Sequence, residues 1–318
     1  MPPTSLTPPG ASLLPDLPIG RPRERQGFAI ADDGTPLYYR VHEPREGVTA
    51  GLPVCFTDGI GCEGYVWRYL EPELVRDRPI VHWQYRGHGH TPQPRDPARV
   101  TIADCADDLV AVLDTAGIDR AVLAGHSMGV QVCLETYRRH PERVAALVLL
   151  CGSYGHPLRT FKGRSTLEQV LPYVRFAIHG VPRVITAFWR AAVPTDLAYH
   201  LATILEINGA RIRREDFLPY LQHMGSIDVR LFVDMLAAAG EHSAEDLLPA
   251  ITVPTLIVAG DRDGFTPREL SEAMAQRIPG AELLVVKDAS HTAPIERPGL
   301  VNERVAGFVR RHFPPPAE

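Results

Sequence analysis

The chain has 318 residues, 45% hydrophobic and 22% charged, with a formal net charge of -5. That is the composition of a globular protein, with no long basic run to hold nucleic acid or an anionic membrane. The length is enough for one large α/β domain with an insertion, or for two ordinary domains.

Residues 1–25, "MPPTSLTPPGASLLPDLPIGRPRER", have proline every few positions and neither the basic start nor the apolar core of a signal peptide. They read as an irregular tail. From Gln26, "GFAIADDGTPLYYRVHEP" alternates around Asp33-Gly34 and predicts an antiparallel hairpin. Then come near-continuous apolar blocks of strand length: "PVCFTDG", "PIVHWQY", "AVLAGHS" and "AALVLLCG", and after a gap "TLIVAGD" and "AELLVVKD". Blocks of this kind suit strands buried on both faces of a parallel sheet covered by helices.

Helix starts are visible between the blocks. Thr101 with Asp104 opens an apolar stripe of Ile102, Ala106, Leu109 and Leu113. Thr266, Pro267 and Glu269 predict a second start, with proline at the first helical position. Across residues 153–250 the strand blocks vanish. Tyr173, Phe176, Phe188, Trp189, Tyr199, Leu201, Leu205, Phe217, Leu221, Phe232 and Leu236 recur there at helical spacings. A helical cap inserted between two strands is expected, with the core formed by residues 26–152 and 251–318. The cap's most apolar segment carries Arg175, Arg183 and Arg190 and is broken by Pro182, so no membrane span is expected. The five cysteines (Cys55, Cys62, Cys105, Cys133 and Cys151) are odd in number and unpaired in spacing. They read as core residues in a reducing compartment, and a cytoplasmic protein follows.

One motif raises a question of chemistry. Ser127 stands in "GHSMG", between Gly125 and Gly129. At roughly 7% each for Gly and Ser, such a match occurs by chance in about one chain in ten of this length. Context adds weight: the motif joins the strand block "RAVLAG" to the helical stretch "MGVQVCLETYRRH". A serine on so sharp a turn is lifted clear of the sheet beside free helical N–H groups, which suits a nucleophile in acyl chemistry.

Together, "DGIGCEGYVWRYL", "YRGHGHT", "GHSMG", "AGDRDGFTP" and "DASHTAPIERP" resemble, in order, the conserved stretches of the α/β-hydrolases of the lipase, esterase and haloperoxidase-like group. The resemblance covers residues 26–313. It implies a mostly parallel eight-stranded sheet flanked by helices, with a helical lid after strand 6. It also implies Ser127 as nucleophile, His291 as base and backbone N–H groups of Ile60 and Met128 as an oxyanion hole. The residues agree with the base, since His291 follows the last strand block, whereas His126 sits too close to Ser127 on the turn to serve it. After "TLIVAG" both Asp261 and Asp263 are available, and the family's spacing selects Asp263, leaving Asp261 as a turn former. His88 and His90 form an H-x-H pair, a thin metal signal, and read as turn structure.

Three positions depart from the family. Asp58-Gly59 replaces the usual His-Gly; Asp58 either turns away to bond nearby backbone, or is held neutral or contacts a polar substrate group. Gln84 replaces a frequent aspartate and reads as loop structure, and Val130 replaces a frequent glycine and should affect packing only. No cofactor or metal is expected. The substrate expected is a small-molecule ester with an apolar part, bound among cap residues, though most of those pack the cap itself. The same triad could instead hydrolyse C–C, thioester or lactone bonds, transfer acyl groups or perform perhydrolysis. A non-catalytic receptor on this fold is the reading from another class.

Overall fold

In the computed structural model, which describes residues 23–160, 165–205 and 211–316, the Asp33-Gly34 turn closes the expected hairpin. Strands β1 (Arg23–Ile30) and β2 (Pro36–Glu43) pair antiparallel along their whole length. Gly34 takes a left-handed φ of 82°, which glycine reaches without the Cβ penalty. The tail expected over residues 1–25 lies outside the described residues up to residue 22. Strand β1 begins at Arg23, three residues inside the stretch read as tail, because Arg23 pairs with Glu43 at the far end of β2.

The apolar blocks become β3 (Val54–Thr57), β4 (Ile80–Trp83), β5 (Ala121–His126), β6 (Val144–Leu150), β7 (Thr255–Gly260) and β8 (Glu282–Val286). They form one eight-stranded sheet in the order β1-β2-β4-β3-β5-β6-β7-β8. The pairings of β2 with β1 and β4 are antiparallel, and the rest are parallel. Every residue of β3 to β7 is buried, as double-faced burial requires. The edge strand β8 differs, with four of its five residues half-buried, because no further strand covers it.

Alternate residues of the central strands feed two cores. Leu123, Leu147 and Leu149 join one with Leu109 and Val132, while Val122, Val148 and Leu150 join the other with Trp67 and Phe308. Helix α1 (Ile102–Ala116) begins at the expected capping box: the Asp104 N–H donates to Thr101 Oγ1 at 3.1 Å and the Thr101 N–H to Asp104 Oδ2 at 2.9 Å. Helix α2 (Met128–Arg139) follows β5.

Between β6 and β7 the described chain is helical: α3 (Thr166–Gly180), α4 (Pro182–Ala192), α5 (Asp196–Leu205), α6 (Arg214–Ser226) and α7 (Val229–Glu241). The expected packing of its apolar residues holds for Phe217 and Leu221, which are buried, but not for Tyr173, Phe176 and Phe188, which are exposed. Only one stripe of α3, Leu171 and Ile178, faces the molecule, and α4 has no buried residue. The side chains of Leu201 and Leu205 lie outside the described residues. After β7, α8 (Arg268–Arg277) starts one residue later than expected, with Pro267 as its cap position and no side-chain cap. Helix α9 (Pro298–His312) completes the layers. Among the described residues no helix is long and apolar enough to cross a membrane.

Candidate active site

The sheet's parallel strands end at one edge, and the expected site residues collect there. Ser127 follows β5 directly and has φ 55° and ψ -118°, a left-handed backbone that costs a non-glycine residue about 1–3 kcal/mol. Two close approaches hold the turn. A Cβ on Gly125 would lie 2.3 Å from the Gly129 carbonyl oxygen, and one on Gly129 would lie 2.2 Å from that of Thr57. Gly129→Ala is therefore expected to lower stability by about 1–3 kcal/mol, as overpacking does, measured by denaturant unfolding; an unchanged midpoint would mean the helix start can shift freely. Val130 is fully buried and its Cγ2 lies 2.3 Å from where a Gly152 Cβ would stand, so this departure is a packing exchange.

Across the turn lies the loop after β3. A Cβ on Gly59 would sit 3.0 Å from Ser127 Cβ and 3.3 Å from His126 Nδ1. The next amide, Ile60 N–H, has no acceptor among the described residues. Met128 opens α2, and a first-turn N–H has no intrahelical partner. Two free donors thus flank the serine.

The β7 and β8 loops bring an acid to an imidazole. Asp263 Oδ2 accepts from His291 Nδ1 at 2.9 Å, with the Asp263 side chain fully buried and that of His291 11% exposed. A carboxylate can only accept, so Nδ1 carries the hydrogen and Nε2 is left as the acceptor. Asp263 Oδ1 takes the N–H groups of Phe265 and Thr266, both at 2.9 Å, and Oδ2 also takes the Thr266 hydroxyl at 2.9 Å. Thr266 therefore serves the acid rather than capping α8. Asp261 accepts the Ala289 N–H at 3.2 Å, so it ties the β7 loop to the His291 loop rather than to its own, as was expected of it.

His291 reaches the serine turn through its neighbours. His126 Nε2 donates to the His291 carbonyl at 2.9 Å, and the two rings lie 5.0 Å apart. Burial and the nearby His291 push the His126 imidazole down to about 4, so it is neutral at pH 7 and occupied in holding the loop. Sequence reasoning passed over Glu296. Its buried carboxylate accepts the Ser290 N–H at 2.8 Å and the Thr292 hydroxyl at 2.7 Å, and it bonds the Ser290 hydroxyl as well. It pins both neighbours of His291. The only available signal was its place five residues beyond the histidine in "SHTAPIE".

The H-x-H pair is turn structure. His88 Nδ1 donates to the Arg86 carbonyl at 3.0 Å and Nε2 accepts the Gly61 N–H at 3.1 Å, with burial and the adjacent His223 pushing its imidazole to about 4. Gln84 bridges Glu63 Oε1 at 2.9 Å and the His90 N–H at 2.6 Å, as loop structure. Among the described residues no group of three or more His, Cys, Asp or Glu is arranged to hold a metal ion.

Asp58 turns away from the serine. Its Oδ1 accepts Trp67 Nε1 at 2.7 Å, and its Oδ2 accepts the Gly64 N–H and His82 Nε2, both at 2.8 Å. Burial raises its pKa, but His82, Trp67 and Gly64 together hold the carboxyl below its ordinary range. The neutral, substrate-facing reading of Asp58 is thereby overturned, since both oxygens are occupied and the residue is buried. Behind it, Arg40 Nε donates to His82 Nδ1 at 3.4 Å and Arg40 also pairs with Glu71 at 3.0 Å.

Burial opposes ionisation of Glu71, but Arg40 and His42 hold its carboxyl down to about 2 from an ordinary 4.5. A depressed carboxyl stabilises the fold fully above its unfolded pKa and loses that contribution as pH falls through the folded one. Glu71→Gln is expected to cost on the order of 3 kcal/mol at pH 7 but only about 1 kcal/mol at pH 3. Unfolding at both pH values checks this, and an equal loss at each would refute it.

A family model described as the alpha/beta hydrolase fold matches residues 53–298. The chain is 30% identical over 264 residues to 2-hydroxymuconate semialdehyde hydrolase of Pseudomonas sp. strain CF600, covering 82% of this chain and 87% of that protein. It is 29% identical to pimeloyl-[acyl-carrier protein] methyl ester esterase of Neisseria meningitidis, covering 79% and 75%. The enol-lactonase of Burkholderia xenovorans superimposes with a TM-score of 0.69 at 22% identity, over 89% of this chain and 99% of that one, a likeness of fold. A matched family profile over most of the chain, on the eight-stranded sheet found here, leaves one conclusion: this protein is a hydrolase and belongs to the α/β-hydrolase fold family.

Proposed function

We propose that this hydrolase cleaves carboxylic esters of small to medium apolar substrates through an acyl-enzyme on Ser127. The observation that carries the reading is the His291–Asp263 hydrogen bond of 2.9 Å, which leaves Nε2 as a base beside the strained Ser127 turn. The Ser127 hydroxyl makes no hydrogen bond among the described residues, so in this reading its contact with Nε2 closes when substrate binds. Catalytic hydrogen bonds often close only at that stage. Nε2 takes the serine proton as Oγ attacks the carbonyl, and the N–H groups of Ile60 and Met128 receive the oxyanion. The imidazolium, stabilised by Asp263, then gives its proton to the departing alkoxide. Water repeats the sequence to release the acid. The chemistry needs no metal or cofactor.

An apolar site fits the surroundings. Met224 and Phe232 lie against Gly61, Phe265 tilts over His291 at 4.9 Å, and Tyr65, Phe217 and Tyr220 cluster nearby. Residues 153–250 serve in this reading as the lid. The five free, buried cysteines favour a reducing compartment, and we place the protein in the cytoplasm. The second reading keeps the triad but breaks a C–C or lactone bond, favoured by the named activities of the semialdehyde hydrolase and the enol-lactonase. Labelling with a fluorophosphonate probe and mapping the peptide tests the shared mechanism, and Ser127 is the expected adduct. A panel of nitrophenyl esters, thioesters, lactones and vinylogous 1,5-diketones then separates the two readings. No labelling and no turnover, with tight ligand binding, would leave only a receptor on this fold.

A further inference from the structure

The oxyanion loop is held from behind at two points, one residue after Ile60 and two residues before it. On the far side, His88 Nε2 fixes the Gly61 N–H at 3.1 Å. On the near side, three donors converge on the Asp58 carboxylate: Trp67 Nε1–H, the Gly64 N–H and His82 Nε2–H, all within 2.8 Å. The Tyr85 hydroxyl adds a bond of 2.7 Å to the Asp58 carbonyl. Arg40 can only donate to His82 Nδ1, which fixes the His82 tautomer with its hydrogen toward Asp58. Trp67 itself is immobile, fully buried and stacked on Phe56 at 4.4 Å. One residue on, a Cβ at Gly59 would crowd Ser127 Cβ at 3.0 Å, so only glycine fits there without displacing the turn.

This arrangement has a purpose if the Ile60 amide must be held still. An oxyanion donor displaced by about 1 Å can cost on the order of 10²-fold in rate. A carboxylate satisfies three converging donors at once; an asparagine there would present two hydrogens to at least one of them. Each Asp58 oxygen is occupied by these donors, so neither is free to face a developing oxyanion. Resting on the reading of Ile60 as an oxyanion donor, we propose that Asp58, clamped by His82, Trp67 and Gly64, is the positioning residue that sets the Ile60 amide.

The test separates positioning from mere structural support by changing the atom that receives the negative charge. Backbone N–H donors stabilise an oxyanion far better than a thiolate-like anion, so the turnover ratio of a nitrophenyl ester to its thiono analogue reports the oxyanion contact. Asp58→Asn is expected to lower kcat on the oxo ester by about 10- to 100-fold, short of the ~10²–10³-fold cost of losing a donor outright. KM should stay within a few-fold, and the oxo-to-thiono ratio should fall with kcat. Because both substrates are measured on one sample, the ratio is insensitive to any unfolded fraction. Trp67→Phe removes a single donor while keeping the ring stack, and gives a smaller fall in the same ratio if Asp58→Asn does not fold. A wild-type ratio in either variant, whatever happens to kcat, overturns the proposal while leaving the serine mechanism standing. Absence of ester turnover and of fluorophosphonate labelling at Ser127 in the wild type overturns both, and is seen before any variant is made.

Discussion

Ser127→Ala is expected to lower ester turnover by at least about 10⁴-fold, and to abolish fluorophosphonate labelling, with the fold unchanged. The substitution removes one oxygen that has no hydrogen-bond partner among the described residues, so no protein contact is lost with it. No neighbour can replace it. His126 is neutral and its Nε2–H is committed to the His291 carbonyl. Cys62 and Cys151 are buried thiols whose pKa values burial pushes well above the ordinary range, which leaves them unreactive. Residual rate in the variant would come from water activated by His291 beside the two amides, a path about 10³–10⁴-fold above the uncatalysed reaction at most. Melting temperature, ester kcat and probe labelling measured on the same preparation decide the matter. Retention of a tenth of the wild-type turnover would mean that another nucleophile, or a bound water from the outset, does the work.

The fold was legible because the sheet is central and doubly covered. Strands such as "AALVLLCG" cannot tolerate polar residues on either face, so their burial is written into composition alone. The Asp33-Gly34 hairpin and the Thr101–Asp104 capping box were equally plain, since each depends on local chemistry that a few residues determine. What escaped were features set by distant partners. The start of β1 follows the length of β2, and β8 is half-buried because the sheet ends there. The exposure of Phe176 and Phe188 could not be read from helical spacing, which marks apolar residues without saying which face meets the core.

The candidate site divides in the same way. Motif positions such as Ser127 and His291 stand at strand ends, where the topology alone delivers them to one edge. The residues that hold those groups in place come from elsewhere: His82 from β4, His88 from the following turn, Glu296 from a short helix beyond the histidine. A single sequence gives no hint that these side chains converge, because each is an ordinary polar residue at an ordinary spacing. Asp58 illustrates the limit. The departure from His-Gly was visible, and its turning away was foreseeable, but its three donors could be found only by seeing which side chains surround it.

Asp263→Asn should cost about 10⁴-fold in kcat at neutral pH, far more than removing a charge near an imidazole would suggest. The reason lies in how the carboxylate is held. Oδ1 accepts two backbone N–H groups, from Phe265 and Thr266, each at 2.9 Å. An asparagine must put its oxygen there, since its amide hydrogens would clash with both donors. That orientation aims the NH₂ at His291, where Oδ2 now accepts from Nδ1 at 2.9 Å. Facing a donor, Nδ1 must become an acceptor, and the neutral imidazole then carries its hydrogen on Nε2, the atom that should take the proton of Ser127. The variant keeps its geometry and loses its base through tautomer choice alone. Asp261→Asn is the matched control: its carboxylate accepts one N–H, from Ala289 at 3.2 Å, which an amide oxygen can replace, so turnover should stay within about ten-fold of wild type. Steady-state kinetics of the two variants settles which carboxylate orients the base, and the opposite order of effects would transfer the role to Asp261.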